Sequence, residues 1–141
     1  MRKVLLLLVF LATPASADEL YCLAQNIYFE ARSESLAGKY AVADVVLNRV
    51  ASPKYPSTVC SVIKARLQFS WYWDGKSDLP RAESIAWIDS VNVARSILLE
   101  EKFLGITEGA THYHANYVYP SWAGKLRKVG RIGNHIFYLE L

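Results

Sequence analysis

The sequence predicts a mainly helical α+β fold in a single domain, with a small antiparallel sheet towards its C-terminal end. Apolar residues recur at helical spacing through most of the chain as far as Phe103. Beyond Gly109 the composition turns to β type, first in Thr111 to Tyr119 and again in Val129 to Leu139. No repeat, low-complexity tract or linker interrupts the 141 residues, a length suited to one core.

The first 17 residues read as an export signal rather than as part of that core. Arg2 and Lys3 precede an apolar run from Val4 to Ala12, and Ala15-Ser16-Ala17 is a small-residue cleavage site. The run is too short to span a bilayer as a helix. The mature chain, 18–141, is therefore expected to be exported to the periplasm, the wall or the medium, with no stable membrane anchor once the signal is cleaved. Losing Arg2 and Lys3 leaves 14 basic against 13 acidic residues, a net charge of about +1. No cluster of Lys and Arg remains to neutralise a row of phosphates, which argues against a nucleic-acid partner.

Glu19 to Arg32 reads as a first helix, with Leu23, Ala24, Ile27, Tyr28 and Ala31 on one face. Ser33 to Gly38 is small and polar and breaks it. A second helix is expected from Lys39 to Asn48 or Val50, turning Val42, Ala43, Val45 and Val46 inward. Pro53 and Pro56 mark a loop, and Ser57 or Thr58 caps a short third helix carrying Val59, Val62 and Ile63. Phe69, Trp71, Tyr72 and Trp73 then crowd one stretch, as a core plug or as the wall of a sugar-stacking cleft. A long helix over about 81–103 places Ile85, Ile88, Val91, Ala94, Ile97 and Leu98 at helical spacing, before Gly105 and Gly109 end it. The second β-type stretch is broken at Gly130-Arg131 or at Gly133-Asn134.

Chemistry concentrates in the first helix. Glu30 stands among Ile27, Tyr28, Phe29 and Ala31, at the border of the apolar face. Burial disfavours a charged carboxyl and raises its pKa, as a general acid working near neutrality requires. Glu34 follows one turn later and is a candidate helper, since two carboxyls in unequal surroundings can divide acid and base roles. A structural bond from Glu34 to Arg32 or to backbone is the competing reading. Gln68, Ser70, Trp71 and Tyr113 are candidates for positioning substrate, with His112 and His114 beside them. His112 and His114 alternate, and with His135 they offer three imidazoles of the kind that hold a catalytic zinc. No His-Glu-x-x-His, nucleophile elbow or phosphate loop is present, so no metal is assigned. Cys22 and Cys60 are an even pair in an exported chain, which favours a disulfide over free thiols or a nucleophilic cysteine.

The chain resembles the SleB-type cell-wall hydrolases, the family of spore-cortex-lytic enzymes. The resemblance rests on Asn26-Ile27-Tyr28-Phe29-Glu30-Ala31-Arg32, Glu34, Gly38, Ala41-Val42-Ala43 and Val46-Leu47-Asn48-Arg49. It continues through Tyr55-Pro56, Cys60, Gln68-Phe69-Ser70, Ala110-Thr111-His112-Tyr113-His114 and Ile132-Gly133-Asn134-His135-Ile136-Phe137-Tyr138. Ser33 departs from it, where the family usually carries glycine. The resemblance implies a lysozyme-like, lytic-transglycosylase-like domain over 18–141 and a bridge from Cys22 in the first helix to Cys60 in the third. It further implies that Glu30 is the catalytic acid and that the substrate is the glycan strand of peptidoglycan. The bond cut would be that between N-acetylmuramic acid and N-acetylglucosamine, with no cofactor. No wall-binding repeat is visible, so targeting would come from the cleft or from an unknown partner. Two other readings stand beside this one: a non-catalytic wall-binding module built on the aromatic stretch, and a zinc amidase using His112, His114 and His135.

Overall fold

A computed structural model describes residues 16–65, 69–102 and 105–140. Among the described residues, five α-helices precede a three-stranded antiparallel sheet. The expected export segment lies outside the described residues except for Ser16 and Ala17.

α1 (Ala17–Ala31) starts where the Ser16 side chain accepts the Glu19 N–H, and it buries the expected face, Leu23, Ala24, Ile27, Tyr28 and Ala31. α2 (Leu36–Ala51) begins three residues earlier than its apolar pattern suggests, because Ser35 caps it by accepting the Gly38 N–H. Gly38 therefore lies inside the first turn rather than in the break. A Cβ there would stand 2.8 Å from the Cβ of Glu34, so glycine lets the Glu34 side chain cross the helix. Ser33 sits in the connecting turn without a positive φ, so the backbone there has no need of glycine.

α3 (Val59–Lys64) is capped by Thr58, whose hydroxyl accepts the Ser61 N–H. Its first amides are also held from α1: the Glu19 carboxylate accepts the Val59 N–H at 2.7 Å. Beside that contact the Cys22–Cys60 disulfide joins α1 to α3, as expected, with the Cα atoms 5.3 Å apart. α4 (Ser70–Trp73) is a single turn through the aromatic stretch. Phe69 and Trp71 belong to the core, whereas Trp73 is exposed, so the stretch is part plug and part surface.

α5 (Ile85–Leu98) is shorter than the apolar spacing implied. Ser84 caps it by accepting the Trp87 N–H, and the chain leaves the helix at Leu99. Its buried face is Ser90, Val93, Ala94 and Ile97; Ile85 and Ile88, expected inward, are 77% and 50% exposed. α1 packs against this face through small residues such as Ala24 and Ala94, which let the two helices approach closely. The main core lies among α1, α2, α3 and α5.

The sheet has the order β1-β3-β2, with β1 (His112–Ala115), β2 (Arg127–Ile132) and β3 (His135–Leu139). Of the two possible breaks, Gly133-Asn134 is the hairpin turn, and Gly130 instead sits at a register shift opposite Phe137. A second, smaller core cluster of Ala41, Val45, Ala110 and Phe137 seats the sheet on α2.

Candidate active site

Three polar side chains of α2 fix where the sheet begins. Asp44 is buried and accepts both the backbone N–H and the hydroxyl of Thr107. Asn48 donates to the Ala110 carbonyl at 2.9 Å, and Arg49 Nε donates to the Thr111 carbonyl at 2.8 Å. The chain entering β1 is thereby tied to α2 at three successive points. Side chains alternate along a strand, so Tyr113 faces the helices while His112 and His114 face the other way.

Tyr113 reaches the last turn of α1, where its hydroxyl donates to Glu30 Oε2 at 2.7 Å. The Glu30 carboxyl is partly buried, and desolvation raises its pKa above the ordinary glutamate range. The Tyr113 hydrogen bond and the charge of Arg49 oppose that rise without cancelling it. Burial pushes the Tyr113 hydroxyl well above its own usual range, reinforced by the neighbouring carboxyl, so it remains a donor. Arg49 is itself buried, with its guanidinium 5.1 Å from the Phe69 ring centre and 5.3 Å from that of Tyr55. A carboxyl whose pKa is raised by desolvation, oriented by one hydrogen bond, is suited to deliver a proton.

Glu34 is held by a different element from Glu30. Its side chain, 6% exposed, turns to the β2–β3 hairpin and accepts the Asn134 N–H at 3.3 Å. His135 Nδ1 lies 3.6 Å from Glu34 Oε1, and the His135 ring meets Tyr113 edge-on with 5.0 Å between centroids. Burial lowers the His135 pKa, with Glu34 pulling in the opposite direction. Gly133 makes this approach possible: at φ +58° it has no side chain, and a Cβ would fall 2.2 Å from Glu34 Oε2. Of the two structural partners weighed for Glu34, Arg32 or backbone, the bond present is to the hairpin backbone.

The three histidines do not converge. His112 and His114 share one sheet face with Trp122, where His114 Nε2 is 2.8 Å from the Tyr138 hydroxyl and Nδ1 is 2.8 Å from the Ala115 carbonyl. His135 pairs with Ala115 and so faces the opposite side. Among the described residues no group of three or more His, Cys, Asp and Glu side chains is placed to hold a metal ion. Trp71 is buried: it donates from Nε1 to Asn26 Oδ1 at 2.9 Å and stacks on Phe29 with centroids 4.9 Å apart. Ser70, the first residue of α4, is exposed. Gln68 lies outside the described residues.

Arg49 and Asn26 carry no role in the sequence reading, although both stand in the stretches quoted for the resemblance. A signal was available for Arg49. It lies four residues after Val45 and three after Val46, both fully buried, so a cation there falls on the core side of the helix.

The profile of a family described as Cell Wall Hydrolase matches residues 33–138. The chain belongs to this family. Among curated proteins it is 32% identical over 123 residues to the spore cortex-lytic enzyme of Halalkalibacterium halodurans, covering 86% of this chain and 35% of that protein. To the spore cortex-lytic enzyme of Bacillus subtilis it is 31% identical over 124 residues, covering 86% of this chain and 38% of that one. The chain thus spans little more than a third of the length of these two relatives. In fold it is similar to the catalytic domain of the germination-specific lytic transglycosylase SleB from Bacillus anthracis. The TM-score is 0.72 at 27% identity, covering 92% of this chain and all of that domain. The catalytic domain of the Bacillus cereus SleB protein matches with a TM-score of 0.70 at 28% identity, covering 92% of this chain and 95% of that one. The α+β, mainly helical, lysozyme-like architecture expected from the sequence is therefore the architecture of this family.

Proposed function

We propose that this chain is an exported peptidoglycan lytic transglycosylase that cuts the glycan strand between N-acetylmuramic acid and N-acetylglucosamine, with Glu30 as its acid and base. The observation that carries this reading is the partly buried Glu30 carboxyl, raised in pKa by desolvation and held by Tyr113. Membership of the cell wall hydrolase family and likeness to a domain named a lytic transglycosylase support the substrate and the bond.

Protonated Glu30 gives its proton to the glycosidic oxygen as the bond to muramic C1 breaks, leaving an oxocarbenium-like centre. The Glu30 carboxylate then takes the proton of the muramic 6-hydroxyl as that oxygen closes on C1. The product is a 1,6-anhydro end, and Glu30 is again protonated. Tyr113 holds one carboxyl oxygen through both steps, and the Arg49 charge limits how far the pKa of Glu30 climbs. A retaining hydrolase would need a second carboxyl about 5–5.5 Å from the first. Glu34, the nearest glutamate in sequence, is engaged by the hairpin, which favours the one-carboxyl route. Export by cleavage after Ala17 belongs to the same reading. Cleavage there would remove the Ser16 cap, leaving Asp18 and Glu19 to favour the helix start by their charge. Among the described residues no helix is long and apolar enough to cross a membrane.

Mass spectrometry of the products released from purified sacculi tests the reaction. The reading expects muropeptides with 1,6-anhydromuramic ends, unaffected by EDTA. Reducing muramic ends would mean hydrolysis, and free stem peptides with chelator sensitivity would mean a zinc amidase. Sedimentation with sacculi and no release would mean a binding module.

A further inference from the structure

Glu30 and Glu34 are close in sequence, and a second connection between them runs through the sheet. Tyr113, which donates to Glu30 Oε2, has its ring held at two places. Phe137, its cross-strand partner, lies across it with 5.5 Å between centroids and 39° between planes. His135, two residues before Phe137 and so on the same face of β3, meets it edge-on, at 75°. Behind His135 stands Glu34, whose Oε1 is 3.6 Å from Nδ1. The turn that carries Glu34 is itself pinned, because buried Lys39 donates from Nζ to the Glu34 carbonyl at 2.6 Å.

Among the described residues, His135 Nδ1 is buried without a hydrogen-bond partner, since the separation from Glu34 is beyond hydrogen-bond length. A buried polar atom left in that state calls for a reason. Burial lowers the His135 pKa against the pull of Glu34, so near neutrality Tyr113 meets a ring rather than a charge. The groups acting on Glu30 are Tyr113 and Arg49, and those acting on His135 are Glu34 and His114. We propose that His135, steadied by Glu34, is a positioning residue: it holds the edge of the Tyr113 ring so that the hydroxyl stays on the Glu30 carboxyl. Glu34 then assists Glu30 without touching the substrate. This role rests on Glu30 being the acid, and adds to it the residues that keep its hydrogen bond in place. The sign is distinctive. Loosening the Tyr113 bond disfavours the carboxylate and raises the Glu30 pKa, whereas removing the Glu34 charge alone would lower it.

Titration of the Glu30 carboxyl tests this without substrate. In protein labelled with carbon-13 at the glutamate side-chain carboxyls, the Glu30 resonance is the one missing from Glu30→Gln, and its shift is followed against pH. His135→Ala and Glu34→Ala should each move the midpoint upward, by no more than Tyr113→Phe does. In the Tyr113→Phe background neither should move it further. His135→Phe, which keeps a ring edge without the nitrogens, should titrate like wild type. The alanine variants are independent, so if one fails to fold the other decides. Midpoints that stay in place, that fall in Glu34→Ala, or that move equally without the Tyr113 hydroxyl overturn the proposal. They do so even where thermal stability drops, since a purely structural pair would show only that drop. Muropeptide release by the wild type separates the two levels. Release with unmoved midpoints overturns the positioning role alone. Midpoints that move as stated in a chain releasing nothing overturn the peptidoglycan reading and leave the hold on the carboxyl supported.

Discussion

A carboxyl that loses its water on folding holds its proton more tightly in the native state than in the unfolded one. For Glu30 the sign then follows. Its contribution favours folding below the ordinary glutamate range and is lost as pH rises through its raised pKa. Glu30→Gln, which keeps the shape without the charge, is expected to unfold at a higher temperature than wild type at neutral and alkaline pH. The difference should shrink to a constant as pH falls to about 4. Thermal unfolding followed by circular dichroism across pH checks this, and a less stable variant at neutral pH would contradict it. Tyr113 makes the second residue-scale prediction. Its hydrogen bond favours the carboxylate, so Tyr113→Phe should raise the Glu30 pKa further and move the alkaline limb of the pH–rate profile upward. A limb that moves down, or stays, would remove Tyr113 from the site. Glu30 was legible because acid and apolar neighbours are adjacent in sequence. Its partnership with Tyr113 was not, because 83 residues separate them and only the seating of β1 on α2 brings them together.

At the scale of elements, the α1–α2 corner and the β2–β3 hairpin are joined through one buried glutamate between two glycines. Gly133→Ala would drive a methyl into the Glu34 carboxylate at a positive φ, and it is expected to destabilise the chain by about 2–3 kcal/mol in urea denaturation. In a Glu34→Ala background the cost should fall to the backbone part, about 1–2 kcal/mol. An equal cost in both backgrounds would mean that Glu34 is not what Gly133 accommodates. The sequence shows both glycines and the glutamate, yet a glycine required by close approach looks like a glycine required by a turn until the third element is in place. The end of α5 illustrates a different limit. Apolar spacing runs through Ile85 and Ile88, but the packed face is built from Ser90, Ala94 and their neighbours. Small residues give a weak hydrophobic signal, although they are what allows the helices to approach.

For the whole molecule, the helical layer, the C-terminal sheet and the single bridge all follow from patterns that are local or nearly so. The strand order does not, since β3 lies between β1 and β2 although it is the last strand in the chain. The disulfide closes the four-element core at α1 and α3, across a separation of 38 residues. Cys60→Ser is expected to lower stability by about 4 kcal/mol in the chain-entropy picture, and intact protein should be two hydrogens lighter than its reduced mass. Two freely alkylatable thiols in protein from an oxidising compartment would contradict the bridge. The central claim concerns what this scaffold holds: a partly buried acid at the end of α1, presented to a glycan. The rate of muropeptide release by Glu30→Gln tests it most directly, with thermal unfolding of the same sample as the check on folding. The account predicts a folded protein whose rate falls by about 10²–10⁴-fold. A folded Glu30→Gln protein that releases muropeptides at close to the wild-type rate would contradict it.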